Sequence, residues 1–307
     1  MGILFMTNKA ITKEKRDAKL GVFYGWPMGL WFCIFFIAPL VIIFIYSFLK
    51  KGIYGGVEWQ FSLKAYHQMF KSEYGIIVMR TLKITVISTV ITILVSLPCA
   101  YAMARSRHQT ILLFLIIIPF WTNSLIRIFA WMSILNNDGM LNQILLKLHL
   151  IKEYVPFLYN QTAVILVSVY MYIPYAILPI FTAVDRFDFS LLEAARDLGA
   201  TKAQSMIKVL IPGIKSGIIS ALIFTFIPIF GAYTVPLLVG GKDSYMLGNI
   251  VVDQVQKTRN WPLAAAFSLI ITLISVLGII WITRSNDAEA KLRKKMAKEE
   301  NYVGGTN

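Results

Sequence analysis

Residues 190–212 read SLLEAARDLGATKAQSMIKVLIP and form the longest polar-rich stretch between two apolar runs of membrane length. Ser190 and Glu193 have the spacing of a capping box, in which hydroxyl and carboxylate each accept a hydrogen bond from a backbone N–H. Gly199 stands where a helix C-terminus favours positive φ. The stretch therefore predicts two short amphipathic helices, joined at a glycine and held at the membrane surface.

Both predicted helices carry apolar residues at helical spacing. Thr201 and Gln204 repeat the capping pattern at the start of the second helix, and Pro212 is expected to limit that helix. The two apolar stripes consist of Leu191, Leu192, Ala195 and Leu198 in the first helix and of Ala203, Met206, Ile207, Leu210 and Ile211 in the second.

The composition indicates an all-α polytopic membrane protein. Of the 307 residues, 57% are hydrophobic and 15% are charged, and the mean hydropathy is +0.65. Soluble domains average roughly 25% charged residues, and several apolar runs here reach the roughly 20 residues that a helix needs to cross a bilayer. The spans are expected to be helical because backbone polar groups in lipid must be satisfied internally.

Six membrane spans are expected in a transmembrane domain over 27–284, between a cytoplasmic N-terminal arm (1–26) and a basic cytoplasmic tail (285–307). The spans are predicted at about 27–49, 76–104, 110–135, 161–184, 215–239 and 262–283. A short outer helix is predicted at Leu141–Leu148 and a surface helix within 244–258. Most of the 11 prolines fall inside the spans, which indicates bent helices along a pathway.

The formal net charge of +14 reports topology rather than a nucleic-acid partner. Most of the 30 Lys and Arg residues lie on one side of the predicted spans, which places both termini in the cytoplasm and the basic tail against anionic lipid headgroups. A DNA-binding helix-turn-helix also has two short helices and a turn. That alternative is disfavoured because apolar runs on both sides tie residues 190–212 to the bilayer.

The sequence carries no motif of a nucleotide-binding, catalytic or metal site. It lacks G-x-x-x-x-G-K-[ST], G-x-S-x-G and H-E-x-x-H, and its 2 cysteines and 3 histidines show no ligand spacing. The acidic residues lie outside the span cores, which argues against the carboxylate relay of a secondary transporter. Arg127 is the one charge deep in a span, and we expect it to pair with a carbonyl group or a partner subunit's carboxylate.

The stretch that begins at residue 190 resembles the signature loop of ABC-importer permeases, E-A-A, three residues, G, nine residues, then I-x-L-P. Glu193, Ala194, Ala195 and Gly199 match, and the chain ends the pattern with V-L-I-P at 209–212. The resemblance implies a type I importer permease (MetI-like) fold, in which a cytoplasmic coupling helix docks into a groove of an ATPase. The residues that it assigns to ATPase coupling are Glu193, Ala194, Ala195, Asp197, Gly199 and Pro212.

A second stretch, P-F-W-T-N-S-L-I-R at 119–127, resembles the third-span motif of B-type permeases of spermidine/putrescine importers. The similarity continues at 191–200, 248–250 and 261–262. Aromatic faces attract cations by roughly 0.5–2 kcal/mol per contact. This modest affinity suits the transport of a polycation, which must be released from the transporter after it binds. The candidate substrate-pathway residues are Trp121, Asn123, Tyr66, Tyr172 and Tyr233, with Asp138 and Asp253 as candidate outer-gate residues. The resemblance implies that Trp121 and Tyr66 contribute to polyamine passage. The alternative role of Trp121 is packing against a neighbouring helix.

The resemblance also implies an assembly in the bacterial inner membrane. Its parts are a second homologous permease, a cytoplasmic ABC ATPase dimer that uses ATP and Mg²⁺, and an external substrate-binding protein. This chain is expected to bind no cofactor and to be no enzyme. The alternatives are an ABC permease for another small solute, an ATP-independent secondary transporter or channel, and a membrane interaction protein without a pathway. Spermidine and putrescine stay open as equal alternatives.

Overall fold

The computed structural model describes residues 26–304 of the chain, with side chains described for 26–280 and for Thr283 and Arg284. The predicted N-terminal arm, apart from Trp26, lies outside the described residues. The end of the predicted basic tail after Gly304 also lies outside them.

The first apolar span is helix α1 (Trp26–Ser47), which contains a π-helical turn at Cys33–Ile37. An antiparallel hairpin of β1 (Leu49–Lys51) and β2 (Val57–Phe61) follows, and then the short helix α2 (Lys64–Met69). The two strands are a feature that the sequence interpretation missed.

Helix α3 (Ser72–Ala104), 33 residues long, is the central element. It packs against helix α7 (Gln161–Asp185) and helix α10 (Lys215–Phe230), which also contact each other. Small residues on the buried face of α3 let the helix backbones approach closely, as is typical of packed membrane helices. The buried hydroxyl residues of α3 are Thr81, Thr85, Ser88, Thr89, Thr92 and Ser96.

The third span, predicted over 110–135, is not one helix. Helix α4 (Gln109–Ile117) runs into a 3-10 turn ending at Trp121, and the chain bends by 91° before helix α5 (Ser124–Leu135) and the following α6 (Met140–Lys147). Asn123 causes the restart, because its side-chain oxygen accepts a hydrogen bond from the Leu125 N–H at 2.8 Å and caps α5.

The fifth span, predicted over 215–239, is also divided. Helix α10 ends at Phe230, and helix α11 (Thr234–Val239) begins after the break at 231–233. Helix α12 (Leu247–Gln256) corresponds to the predicted surface helix. Helix α13 (Trp261–Gly304) continues past the predicted end of span six near residue 283.

The described residues contain four helices that are long and apolar enough to cross a membrane, or up to six if each of two bent helix pairs counts as one span. The four are α1, α3, α7 and the Trp261–Ile280 part of α13. The bent pairs are Gln109–Trp121 with Ser124–Lys147 and Lys202–Gly213 with Lys215–Phe230. Apart from the β-hairpin, the fold therefore has the predicted helical, six-span architecture, with the third and fifth spans bent or broken.

Candidate coupling loop and substrate pathway

The loop after α7 forms the two predicted short helices, α8 (Ser190–Asp197) and α9 (Lys202–Gly213). The predicted capping box of Ser190 and Glu193 is wrong. The N-cap position belongs to Phe189, and the Ser190 N–H donates to the Asp188 carboxylate at 3.0 Å. Hydrogen bonds from Ser190 hold the pKa of the Asp188 carboxyl below its usual value. Asp188 therefore stays charged at the start of the loop.

The second capping box is confirmed. The Gln204 N–H donates to the Thr201 hydroxyl at 3.3 Å, and the Thr201 N–H donates to the Gln204 side-chain oxygen at 3.0 Å. Pro212 limits α9 as predicted, since the helix ends one residue later at Gly213, before a 70° bend into α10. A π-helical turn at Met206–Leu210 interrupts α9 and shifts its side-chain register.

Gly199 lies in the left-handed region, with φ of +88°. The Gly199 N–H donates to the Arg196 carbonyl at 2.8 Å, and the Ala200 N–H donates to the Ala195 carbonyl at 3.0 Å, which is the closure of a helix by a Schellman motif. A Cβ at this position would meet no atom within 4 Å. The backbone conformation, rather than lack of space, is what favours glycine here.

The loop is fixed to the membrane domain by Leu192, which is buried in a cluster with residues of α3, α7, α9 and the start of α10. The predicted coupling residues face outward, with Ala195 and Pro212 half-buried and Glu193, Ala194, Asp197 and Gly199 exposed. Leu198 was assigned to the apolar stripe, yet it is 90% exposed. Leu198 lies one helical turn after exposed Ala194, so helical periodicity alone assigned it to the wrong face.

The break of span three gathers an aromatic group. Trp121 is 82% exposed at the turn, and the Phe120 ring lies 5.8 Å from the Tyr170 ring of α7. The Arg127 guanidinium sits 4.5 Å from the Phe120 ring centroid. Its Nε and Nη1 atoms are buried and have no hydrogen-bond partner among the described residues. The contact that the structure gives Arg127 is therefore cation–π, and the predicted carbonyl partner is not found among the described residues. The alternative partner, a carboxylate of a second subunit, stays a prediction.

Tyr172 belongs to a different group. Its hydroxyl donates to the Pro228 carbonyl of α10 at 3.5 Å, and its ring lies 5.8 Å from that of Tyr175. Tyr170 and Tyr172 are two residues apart on α7, so they project about 200° apart around the helix. The structure therefore separates the group at the span-three break from the Tyr172 group by the width of α7.

Tyr233 lies at the start of α11, and Tyr66 lies within the short helix α2. Tyr233 is exposed at the break of span five, and its carbonyl accepts a hydrogen bond from the Asn249 side chain at 3.0 Å. The Tyr66 hydroxyl donates to the Ser47 hydroxyl at 2.8 Å, so it ties α2 to the end of α1. Neither tyrosine contacts the Trp121 group through the interactions that the structure records.

The two candidate outer-gate carboxylates differ in their surroundings. Asp138 is exposed in the turn before α6. Asp253 accepts a hydrogen bond from the Tyr245 hydroxyl and forms an ion pair with Lys257 at 2.8 Å. Burial and this hydrogen bond to Asp253 raise the pKa of Tyr245. The charge of Asp253 is therefore largely compensated within the chain.

Comparison with known families settles the class. Residues 85–289 match the family model described as "Binding-protein-dependent transport system inner membrane component". The chain belongs to this family. It is thus an integral inner-membrane transport permease, as the E-A-A…G pattern predicted.

Relatives resemble this permease over nearly its whole length. The spermidine/putrescine transport system permease protein PotB of Escherichia coli (strain K12) is 34% identical over 271 residues, which cover 88% of this chain and 98% of the relative. The protein of the same name from Haemophilus influenzae is 33% identical over 258 residues, covering 83% and 90%. The predicted resemblance is confirmed.

Solved structures give the same fold. A bacterial ABC transporter involved in the import of the acidic polysaccharide alginate superposes with a TM-score of 0.72 at 16% identity, covering 91% of this permease and 99% of that chain. A second structure of such a transporter, in complex with a periplasmic protein bound to an alginate pentasaccharide, gives a TM-score of 0.71 at 16% identity, covering 88% and 94%. The permease therefore has the ABC-importer permease fold.

Proposed function

We propose that this permease is one transmembrane subunit of an ATP-driven ABC importer for polyamines, forming half of the translocation pathway. The observation that carries the proposal is the loop of α8 and α9, in which Leu192 is buried in the core while Glu193 and Ala194 are exposed. The relatives at 33–34% identity are named spermidine/putrescine permeases, and their near full-length similarity supports the substrate class.

The loop couples mechanically because its anchor is shared. Leu192 packs in the same cluster as Met103 of α3, Ile180 of α7 and Ile214 before α10. A force on the outward face of α8 therefore reaches the inner ends of three membrane helices at once. ATP and Mg²⁺ are bound and used by the partner ATPase dimer, and the exposed Leu198 joins Glu193 as a contact to its groove.

The pathway proposal assigns cation contacts to aromatic rings instead of carboxylates. Exposed Trp121 at the span-three break, and Tyr172 and Tyr233 near the span-five break, present such rings within the membrane domain. Asn123 supports the break through its cap of α5. Tyr66 contributes an aromatic ring at the outer surface, and its hydroxyl is hydrogen-bonded to the end of α1.

The assembly proposal adds three partners in the bacterial inner membrane: a second homologous permease, the ATPase dimer and an external substrate-binding protein. Both termini are placed in the cytoplasm, together with the α8–α9 loop. Exposed apolar side chains of α5, such as Ile126 and Phe129, support a second membrane chain beside the broken span.

The decisive experiment is co-purification with an ATPase of the same type, followed by uptake of labelled spermidine and putrescine into proteoliposomes. We expect ATP-dependent uptake, competed by polyamines but not by sugars or amino acids. Gly199→Pro should leave the membrane part assembled and uncouple ATP hydrolysis from uptake. Uptake without any ATPase, or competition by another solute class alone, would overturn the proposal.

A further inference from the structure

Beside the coupling loop, α7 and α10 enclose a groove of about 560 Å³. The two helices touch at its base, where a Cβ on Gly217 would lie 2.4 Å from the Ala183 Cβ and 2.8 Å from the Pro179 carbonyl oxygen. The polar residues that line the groove are Thr182, Arg186, Asp188, Ser216 and Ser220. Polar side chains in a groove at the end of membrane helices favour water or a polar occupant, because lipid tails offer them no hydrogen bonds.

Two of its hydroxyl groups direct their single donor to the backbone. The Thr182 hydroxyl donates to the Leu178 carbonyl at 2.9 Å, and the Ser220 hydroxyl donates to the Ser216 carbonyl at 3.0 Å. A hydroxyl has a single donor and two acceptor lone pairs. Since both donors are engaged with backbone carbonyls, the remaining lone pairs favour a ligand that brings N–H donors and no acceptor requirement. An ammonium group has this chemistry.

Beyond the groove, the same side of α7 carries aromatic side chains. Five residues of this part of the chain recur at alternating spacings of three and four, which keeps them on one side of the helix. They are Tyr172, Tyr175, Pro179, Thr182 and Arg186. Tyr175 is 53% exposed. The same side of α7 thus presents rings that attract cations and, one to three turns further on, hydroxyl acceptors.

The mouth next to α8 carries one charge of each sign. Asp188 keeps its negative charge because the Ser190 N–H donates to its carboxylate. Arg186 is the C-cap residue of α7, where a positive charge opposes the negative end of the helix dipole. The carboxylate attracts a cation to the mouth, and the neighbouring guanidinium weakens its retention.

We infer that this groove is an inner binding site for polyamine ammonium groups, with Thr182 and Ser220 as hydrogen-bond acceptors and Asp188 as the last ionic contact before release. The inference rests on the proposed function and adds a site that the aromatic pathway residues do not include. It explains how a polycation passes a subunit whose span cores carry no carboxylate.

The first test is uptake by the complete transporter carrying Thr182→Val together with Ser220→Ala. Loss of hydrogen bonds to a charged ligand should reduce the maximal spermidine uptake by about tenfold, with KM unchanged because capture occurs outside. The matched control is Thr272→Val, since the Thr272 hydroxyl donates to the Ser268 carbonyl in the same way but lies in an apolar groove between α1 and α13. Equal uptake by the double variant and the control overturns the site.

The second test asks what occupies the groove. Ser220→Cys is introduced into a transporter in which Cys33 and Cys99, which are both exposed, are replaced by alanine. We expect a cationic methanethiosulfonate to label the introduced thiol in the assembled transporter and saturating spermidine to slow labelling at least about fivefold, the scale of one ligand-protected site. Labelling that spermidine does not change, or that occurs only without the partner chains, assigns the groove to another occupant. If the wild-type transporter moves no polyamine, the proposed function fails independently of these variants.

Discussion

The contact between α7 and α10 should be sensitive to a single methyl group at Gly217. In Gly217→Ala the new Cβ would lie 2.4 Å from the Ala183 Cβ and 2.8 Å from the Pro179 carbonyl oxygen. Carbon atoms in van der Waals contact are about 3.5–4.0 Å apart. The helices must therefore separate by more than about 1 Å, and overpacking of this kind costs about 1–3 kcal/mol.

Gly278→Ala is the matched control. Gly278 also lies inside a membrane helix, but a Cβ there would meet no atom within 4 Å. Both variants gain about 0.5–1 kcal/mol from the lower chain entropy of alanine in a helix. Because that gain is common to both, the difference in their stabilities isolates the steric cost at Gly217.

The assay is thermal denaturation of the purified permease in detergent, with uptake by the assembled transporter measured in parallel. A cost of about 1–3 kcal/mol corresponds to a Tm lower by several degrees, on the scale of about 2–4 °C per kcal/mol seen for domains of 150–250 residues. Gly217→Ala should also lose uptake because it opens the α7–α10 groove. Equal Tm values for the two variants would refute the close approach of these helices.

Three further outcomes are expected. Gly199→Ala should cost about 1–2 kcal/mol because of the positive φ and reduce uptake per ATP hydrolysed, whereas Gly199→Asn should retain most coupling; equal coupling in both contradicts the backbone argument. Asn142→Ala should expose the 148–160 segment to proteolysis, because the buried Asn142 side chain bonds both the N–H and the carbonyl of Val155. Each backbone group left unpaired costs about 1–3 kcal/mol, and an unchanged cleavage rate would show that Asn142 does not hold the segment. Tyr66→Phe should lower stability by about 0.5–1.5 kcal/mol through loss of the Ser47 bond while keeping the ring and uptake, and Tyr66→Ala should lose uptake; loss in both assigns the role to the hydroxyl.

Local chemistry explains which features could be predicted. The glycine at 199 and the Thr201–Gln204 box were predictable because their causes lie within a few residues. The first capping box failed for the same reason, since Asp188 lies closer to the helix start and competes with Glu193 for the backbone donors. Hydroxyl or carboxylate spacing does not decide between two such caps.

Other features depended on signals that a hydropathy pattern hides. The break of span three follows from Pro119 and the capping side chain of Asn123, which lie inside an otherwise apolar run. The hairpin is indicated by the alternating V-E-W-Q-F at 57–61 after two glycines with positive φ. The exposure of Leu198 and the separation of the aromatic residues onto two sides of α7 depend on packing partners from distant segments. Residue spacing within one helix does not reveal those partners.

The buried face of α3 has a mechanical consequence. The hydroxyl groups of Thr85, Ser88, Thr89 and Ser96 have no hydrogen-bond partner among the described residues. These four side chains therefore form no hydrogen bond from α3 to its neighbours α7 and α10. At these positions the helices are held together by the packing of small side chains. Helices packed in this way can shift by a fraction of a turn without first breaking hydrogen bonds between them, which lipid could not replace.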